Sequence, residues 1–319
     1  MLSRTADHLY WMARYIERAE NMARVLDVTY RMSLVPHAAH SEEDLWMLPV
    51  RIVDDVEGFE RDYGAYNATN VMRYMALDER NGSSIFESLA SARENARSVR
   101  VAMSSEMWES VNSLWLELQQ RVRNGLNEGD YSEFCEWVKS RSHLFRGVTV
   151  GTMLRDDGYM FVRLGTFIER ADNTARLLDA KYQQLYGPKS GGDEESDSSG
   201  DYYEWSSLLR SVSAMEAYQK VFRDTIDAGK VAELLILRDD MPRSLHTCLD
   251  EITPILEKIC ADRGWECMRQ AGELHAKLHF GRMHVIADTG LHEFLQDFII
   301  LNNNLGVEIQ KTFLNAPIR

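Results

Sequence analysis

Two dipeptides, Glu17-Arg18 and Glu169-Arg170, each set a proton carrier beside a planar cation suited to carboxylates. Each stands inside one copy of a repeated stretch. YIERAENMARVLDVTY at residues 15–30 and FIERADNTARLLDAKY at 167–182 lie 152 residues apart and agree at ten of sixteen positions. Asn21 and Arg24 follow the first dipeptide; Asn173 and Arg176 follow the second at the same spacing. On a helix turning about 100° per residue, Glu17, Asn21 and Arg24 share a narrow arc, as do Glu169, Asn173 and Arg176. The catalytic chemistry open to this set is acid or base work by Glu17 or Glu169. Arg18, Arg170 and the neighbouring Asn21, Arg24, Asn173 and Arg176 would hold a substrate carboxylate.

Local pairing accounts for part of this face. Glu20 with Arg24, and Asp172 with Arg176, stand four apart, a spacing worth about 0.2–0.5 kcal/mol on an exposed helix. Arg18 and Arg170 have no carboxylate at helical spacing, and Glu169 has no cation. Glu17 has Arg14 three residues behind it. Three readings stand at this point: a solvated face, Glu–Arg pairs bonded across a helix–helix interface, or a ligand or catalytic site.

Other constellations are thinner. Arg93, Arg97 and Arg100 fall on one face of an expected helix and form a cationic patch suited to anions, or a solvated face. His275 and His279 are an i,i+4 pair, a spacing that can hold zinc. Glu273 is not placed as in H-E-x-x-H, and no E-x-x-H occurs, so no resident metal or other cofactor is expected. There is no Gly-rich phosphate loop and no G-x-S-x-G elbow. Cys135, Cys248, Cys260 and Cys267 show no zinc spacing and read as idle thiols of a reducing, cytoplasmic compartment.

The elements that must position these residues read as helices. Leu9, Met12, Ile16, Ala19, Ala23, Leu26 and Tyr30 recur in steps of three and four, and Phe161, Leu164, Ile168, Ala171, Ala175, Leu178 and Tyr182 do the same. Ser3 is the expected cap of the first helix, Ser84 with Glu87 a capping box, Ser104 or Ser105 a re-cap, and Asp156 the cap of the second Glu-Arg helix. Residues 37–44 are expected as a loop, and 187–201, rich in Gly, Ser and acid, as a mobile one. Beyond the Glu-Arg stretches, 231–245 aligns with 71–85 at a shift of 160, so Ser244 answers to Ser84, and Trp205 answers to Trp46. The expected architecture is an all-α, internally duplicated helical bundle with pseudo-twofold symmetry. Its first repeat is 1–150 and its second 151–319, joined in one unit. Symmetry would let Glu17 face Arg170 and Glu169 face Arg18.

Composition bounds the function. The 319 residues are 45% hydrophobic and 27% charged, ordinary for a globular chain able to bury a large core. A net charge of −14 speaks against a nucleic-acid or anionic-membrane partner. No run of apolar residues is long enough to span a bilayer, and Arg4, Asp7 and Arg14 interrupt any signal peptide.

The opening MLSRTADHLYWMARYIERAENMARVLD, the middle SARENARSVR and the later FIERADNTARLLD together resemble the alpha-E family, bacterial all-helical proteins named for a Glu-Arg motif. The resemblance spans nearly the whole chain and implies the all-helical fold. Genes of that family neighbour those of an unusual ATP-grasp ligase and a transglutaminase-like peptidase. It therefore implies a part in making or modifying a peptide or amide-linked product. The chain would be a non-catalytic partner or substrate-binding protein, or else an enzyme using Glu17 or Glu169 with arginines on a carboxylate.

Overall fold

Apolar residues at alternating steps of three and four wind the two repeated stretches into the two longest helices, α1 (Ser3–Ser33) and α8 (Asp157–Tyr186). A computed structural model describes residues 1–34, 41–187, 198–260 and 264–314. Among the described residues the chain is all-α, with fifteen α-helices and no strand. Between the two long helices lie α2 (Glu42–Ile52), α3 (Val56–Asp62), α4 (Ala68–Met72), α5 (Ile85–Ser98), α6 (Ser105–Asn124) and α7 (Tyr131–Thr152). After α8 come α9 (Ser198–Ser211), α10 (Met215–Phe222), α11 (Ala228–Ile236), α12 (Leu245–Cys260), α13 (Trp265–His279), α14 (Met283–Thr289) and α15 (Leu291–Ile309).

The caps follow side-chain chemistry. Ser84, Ser104 and Asp156 each accept a backbone N–H three residues on, starting α5, α6 and α8. Ser244 does the same for Thr247 at 3.0 Å and opens α12. Three expectations need correction. Leu2, not Ser3, is the first cap, and no side chain bonds there. At the expected box, the Glu87 carboxylate accepts from Ser91 at 3.3 Å. Ser41 caps a helix that starts at Glu42, inside the expected loop 37–44. In the expected loop 187–201, residues 188–197 lie outside the described residues, and α9 already begins at Ser198.

Two apolar clusters form the core, and α1 enters both. Its first half sends Leu9, Met12 and Ile16 in among Leu164, Ile168, Ile252, Leu274 and Leu305. Its second half sends Ala19, Ala23 and Leu26 in among Trp46, Val71, Leu89, Leu114 and Phe134. Where α1 meets α8 the backbones nearly touch. A Cβ placed on Gly165 would lie 2.3 Å from the Tyr10 carbonyl oxygen, so only glycine fits there. That close approach sets the Glu-Arg dipeptide of each helix against that of the other.

Candidate functional site

A carboxylate forced into a core needs cations and donors around it. Glu17 is 1% exposed and accepts from Arg170 through both nitrogens of a fork, Nε at 2.9 Å and Nη2 at 3.0 Å. Arg243 adds a bond at 3.2 Å and Arg146 one at 3.0 Å. Glu20, fully buried, accepts from Arg24 at 2.9 Å, Arg243 at 2.6 Å, Ser142 at 2.5 Å and also Arg146. On α8, Glu169 is gripped by Arg18, Nε at 2.6 Å and Nη2 at 3.1 Å, and by Arg14 at 2.7 Å.

The reciprocal pairing thus exists: Glu17 with Arg170 and Glu169 with Arg18. The solvated-face reading is overturned, because Glu17, Asn21, Arg24, Glu169 and Arg170 are all buried. Arg14 reaches across to Glu169 at 2.7 Å rather than back to Glu17. The Glu20–Arg24 pair is a buried one, extended by Ser213 at 2.7 Å from Arg24 and by His143 at 3.1 Å.

The electrostatics follow from this crowding. Burial alone would raise Glu17, but Arg170 and Arg243 overcome it and hold its carboxyl below the usual range. Burial is likewise outweighed at Glu20, where His143, Arg243 and Arg146 hold the carboxyl well below that range. Against the same burial, Arg18 and Arg14 bring Glu169 down to about 2. Burial pushes Arg243 down to about 10, still charged at neutral pH. Neither motif glutamate is thus poised near neutrality as a proton carrier would be.

Two members had no signal in the sequence, Arg146 of α7 and Arg243. Glu20 was legible only as the local partner of Arg24, and its bonds to Arg146 and Arg243 span more than a hundred residues. The turn that carries Arg243 is pinned by Thr174, whose hydroxyl donates to the Arg243 carbonyl at 3.0 Å. Asn21 accepts from Arg243 at 2.8 Å, and its Nδ2 has no partner among the described residues.

On the α8 side the polar face reaches solvent in a cleft of about 330 Å³. Arg18, Glu169, Asp172, Asn173, Arg176 and Ser83 line it. Asp172 bonds Arg176 at 2.8 Å through one oxygen; its other oxygen, Oδ1, is buried with no partner among the described residues. Burial outweighs Arg176 and raises the Asp172 carboxyl above the usual range.

The remaining candidates sit elsewhere. Arg93 and Arg97 bond Glu94 at 2.7 and 2.9 Å on the surface of α5. The shared face expected for Arg100 is corrected, because α5 ends at Ser98 and Arg100 lies in a 3-10 turn over the Trp108 ring. His275 and His279 lie on α13 and are joined by His246 of α12, with ligand atoms of all three within 4.8 Å of one another. The histidine on α12 was not singled out from the sequence, where it stands 29 positions before His275.

Among known proteins, the chain is similar to uncharacterized proteins of Mycobacterium bovis and Mycobacterium tuberculosis. Each is 23% identical over 280 residues, which cover 82% of this chain and 30% of theirs. The chain therefore spans less than a third of the length of these relatives. No solved structure matches it. Among the described residues, no helix is long and apolar enough to cross a membrane. Residues 1–314 match the model of Alpha-E, described as a predicted alpha-helical domain with a conserved ER motif, and the chain belongs to that family.

Proposed function

We propose that this chain is a non-catalytic helical binding protein. It acts with an ATP-grasp ligase and a transglutaminase-like peptidase in the synthesis or modification of a peptide or amide-linked product. The observation that carries the non-catalytic reading is the state of the two motif glutamates. Both are enclosed by arginine forks and held ionised, which suits a positioning scaffold and not a proton shuttle. The ligase and peptidase rest on the family's gene context. The cytoplasm is its proposed compartment.

We further infer a duplicated bundle with pseudo-twofold symmetry, repeats 1–150 and 151–319 packing as one unit. Equivalent contacts support it. Asp27 accepts from Ser132 at 2.5 Å, and at the matching position Asp179 bonds His292 at 2.6 Å. Ser84 and Ser244, aligned at a shift of 160, both cap helices.

The test is co-purification of the full chain with an ATP-grasp ligase and a transglutaminase-like peptidase of its native host. Co-elution that Asn173→Ala or Arg176→Glu weakens, with unchanged melting temperature, is expected. A turnover by this chain alone, lost in a folded Glu17→Gln or Glu169→Gln variant, would replace the scaffold reading with the enzymatic one.

A further inference from the structure

The two sides of the Glu-Arg network are not equally filled. On the α1 side, Arg243 threads between Glu17, Glu20 and Asn21 at 3.2, 2.6 and 2.8 Å. At the shift of 152, those three residues answer to Glu169, Asp172 and Asn173. At the shift of 160, Arg243 answers to Ser83. The two turns match locally: Ser84 N–H donates to the Asn81 carbonyl at 2.9 Å, and Ser244 N–H to that of Met241 at 2.9 Å. Ser83 is too short to reach across, and the cleft of about 330 Å³ is lined by Ser83 together with the counterparts of all three Arg243 partners.

What surrounds that space is acceptor-rich. Glu169, Asp172 and Asn173 line it, as their counterparts Glu17, Glu20 and Asn21 surround Arg243. Asp172 Oδ1 is buried and lacks a partner among the described residues. Its counterpart Glu20 has both oxygens bonded, one of them to Arg243. Asp54 adds a third carboxylate against Arg18 and Arg176.

We propose that this cleft binds a guanidinium group, an arginine side chain of a peptide or partner protein, in the place that Arg243 takes on the other side. The planar fork would donate to Asp172 Oδ1 and the Asn173 side-chain oxygen. This deepens the substrate-binding reading and rests on the inferred duplication.

The experiment measures binding of N-acetyl-arginine amide, with the lysine amide as control, to the full-length protein by calorimetry. Saturable binding of the arginine probe, weaker binding of lysine, and about tenfold loss in Asp172→Asn are expected. Ser83→Arg supplies the missing side chain in cis. It should raise the melting temperature and abolish probe binding. If Ser83→Arg stabilises but wild type binds no arginine probe, the ligand proposal falls while the duplication stands. If Ser83→Arg destabilises and no probe binds, both fall. Equal binding by wild type and Ser83→Arg places the ligand elsewhere and also overturns the proposal.

A second, independent observation concerns the histidines. α12 offers His246 and Asp250, and α13 offers His275 and His279, each an i,i+4 pair facing the other helix. His246 Nε2 lies 3.4 Å from His279 Nδ1 and 3.6 Å from Asp250 Oδ1, close to the edge of a tetrahedron around zinc. His246 Nδ1 is 2.8 Å from the Leu237 carbonyl, which fixes the ring and leaves Nε2 as donor to a metal. Asp250 Oδ1 is 2.7 Å from His275 Nε2. The geometry points to a zinc-class divalent metal site clipping α12 to α13.

Chelator-treated full-length protein should take up one equivalent of zinc, and cobalt should give the visible spectrum of tetrahedral ligation. His275→Ala and the exposed His279→Ala should lose both, and Asp250→Asn should bind about 10–100-fold more weakly. His284→Ala should bind as wild type does. No uptake, or uptake unchanged in His279→Ala, overturns the site.

Discussion

Glu17 accepts from three arginines, so the effect of removing any partner depends on which ones remain. In Arg170→Ala, Arg146 and Arg243 still reach Glu17, and the loss should fall at the low end of that for a broken buried pair, about 3 kcal/mol. Glu17→Ala leaves Arg170 without a carboxylate, while Arg146 and Arg243 keep Glu20, and should cost about 3–5 kcal/mol. The double variant should lose clearly less than the sum, and denaturant unfolding of the set decides it. Additive losses would mean that the two residues do not interact. The same carboxylates predict acid lability. A glutamate that titrates near 4.5 when unfolded is held at about 2 in Glu169. Its contribution is fully present above about pH 4.5 and is lost as the pH falls towards 2. Glu17 and Glu20 shift in the same direction. The melting temperature should therefore drop from about pH 5 to about pH 3, less steeply in Glu169→Gln. Equal slopes would remove Glu169 from the account.

Among elements, the α1–α8 crossing controls the site. Gly165→Ala would drive a methyl group into the Tyr10 carbonyl and should cost about 1–3 kcal/mol, with the Glu17–Arg170 fork loosened. Thermal unfolding and proteolysis rates report it; a neutral effect would mean that the helices separate freely. This crossing also marks how far the sequence could be read. Periodicity gave α1 and α8 within a residue or two, and the lack of local partners for Arg18 and Arg170 pointed to pairing across an interface. Arg146 and Arg243 were out of reach, because an arginine on a helix surface or in a turn looks the same whether it meets solvent or a distant glutamate. The same holds for His246, whose link to His275 exists only after α12 packs on α13. Arg100 was misplaced because propensity does not show that α5 stops at Ser98.

For the molecule as a whole, α1 belongs to both apolar clusters, so the proposed repeats share a helix's worth of core. Residues 1–150 alone would carry Glu17 and Glu20 without Arg170 or Arg243 and should not unfold cooperatively. Adding 151–319 should restore helicity by circular dichroism. A cooperative transition in 1–150 alone would mean that the network is dispensable. The span between Glu17 and Arg243 has a temporal side as well. They stand 226 positions apart, and at about 5–20 residues per second a ribosome needs roughly 10–45 s to supply the second after the first. Through that interval the apolar face of Leu9, Met12 and Ile16 also waits for α8. The nascent chain is therefore most adhesive while its first helix is waiting, and that is the window in which a chaperone would hold it.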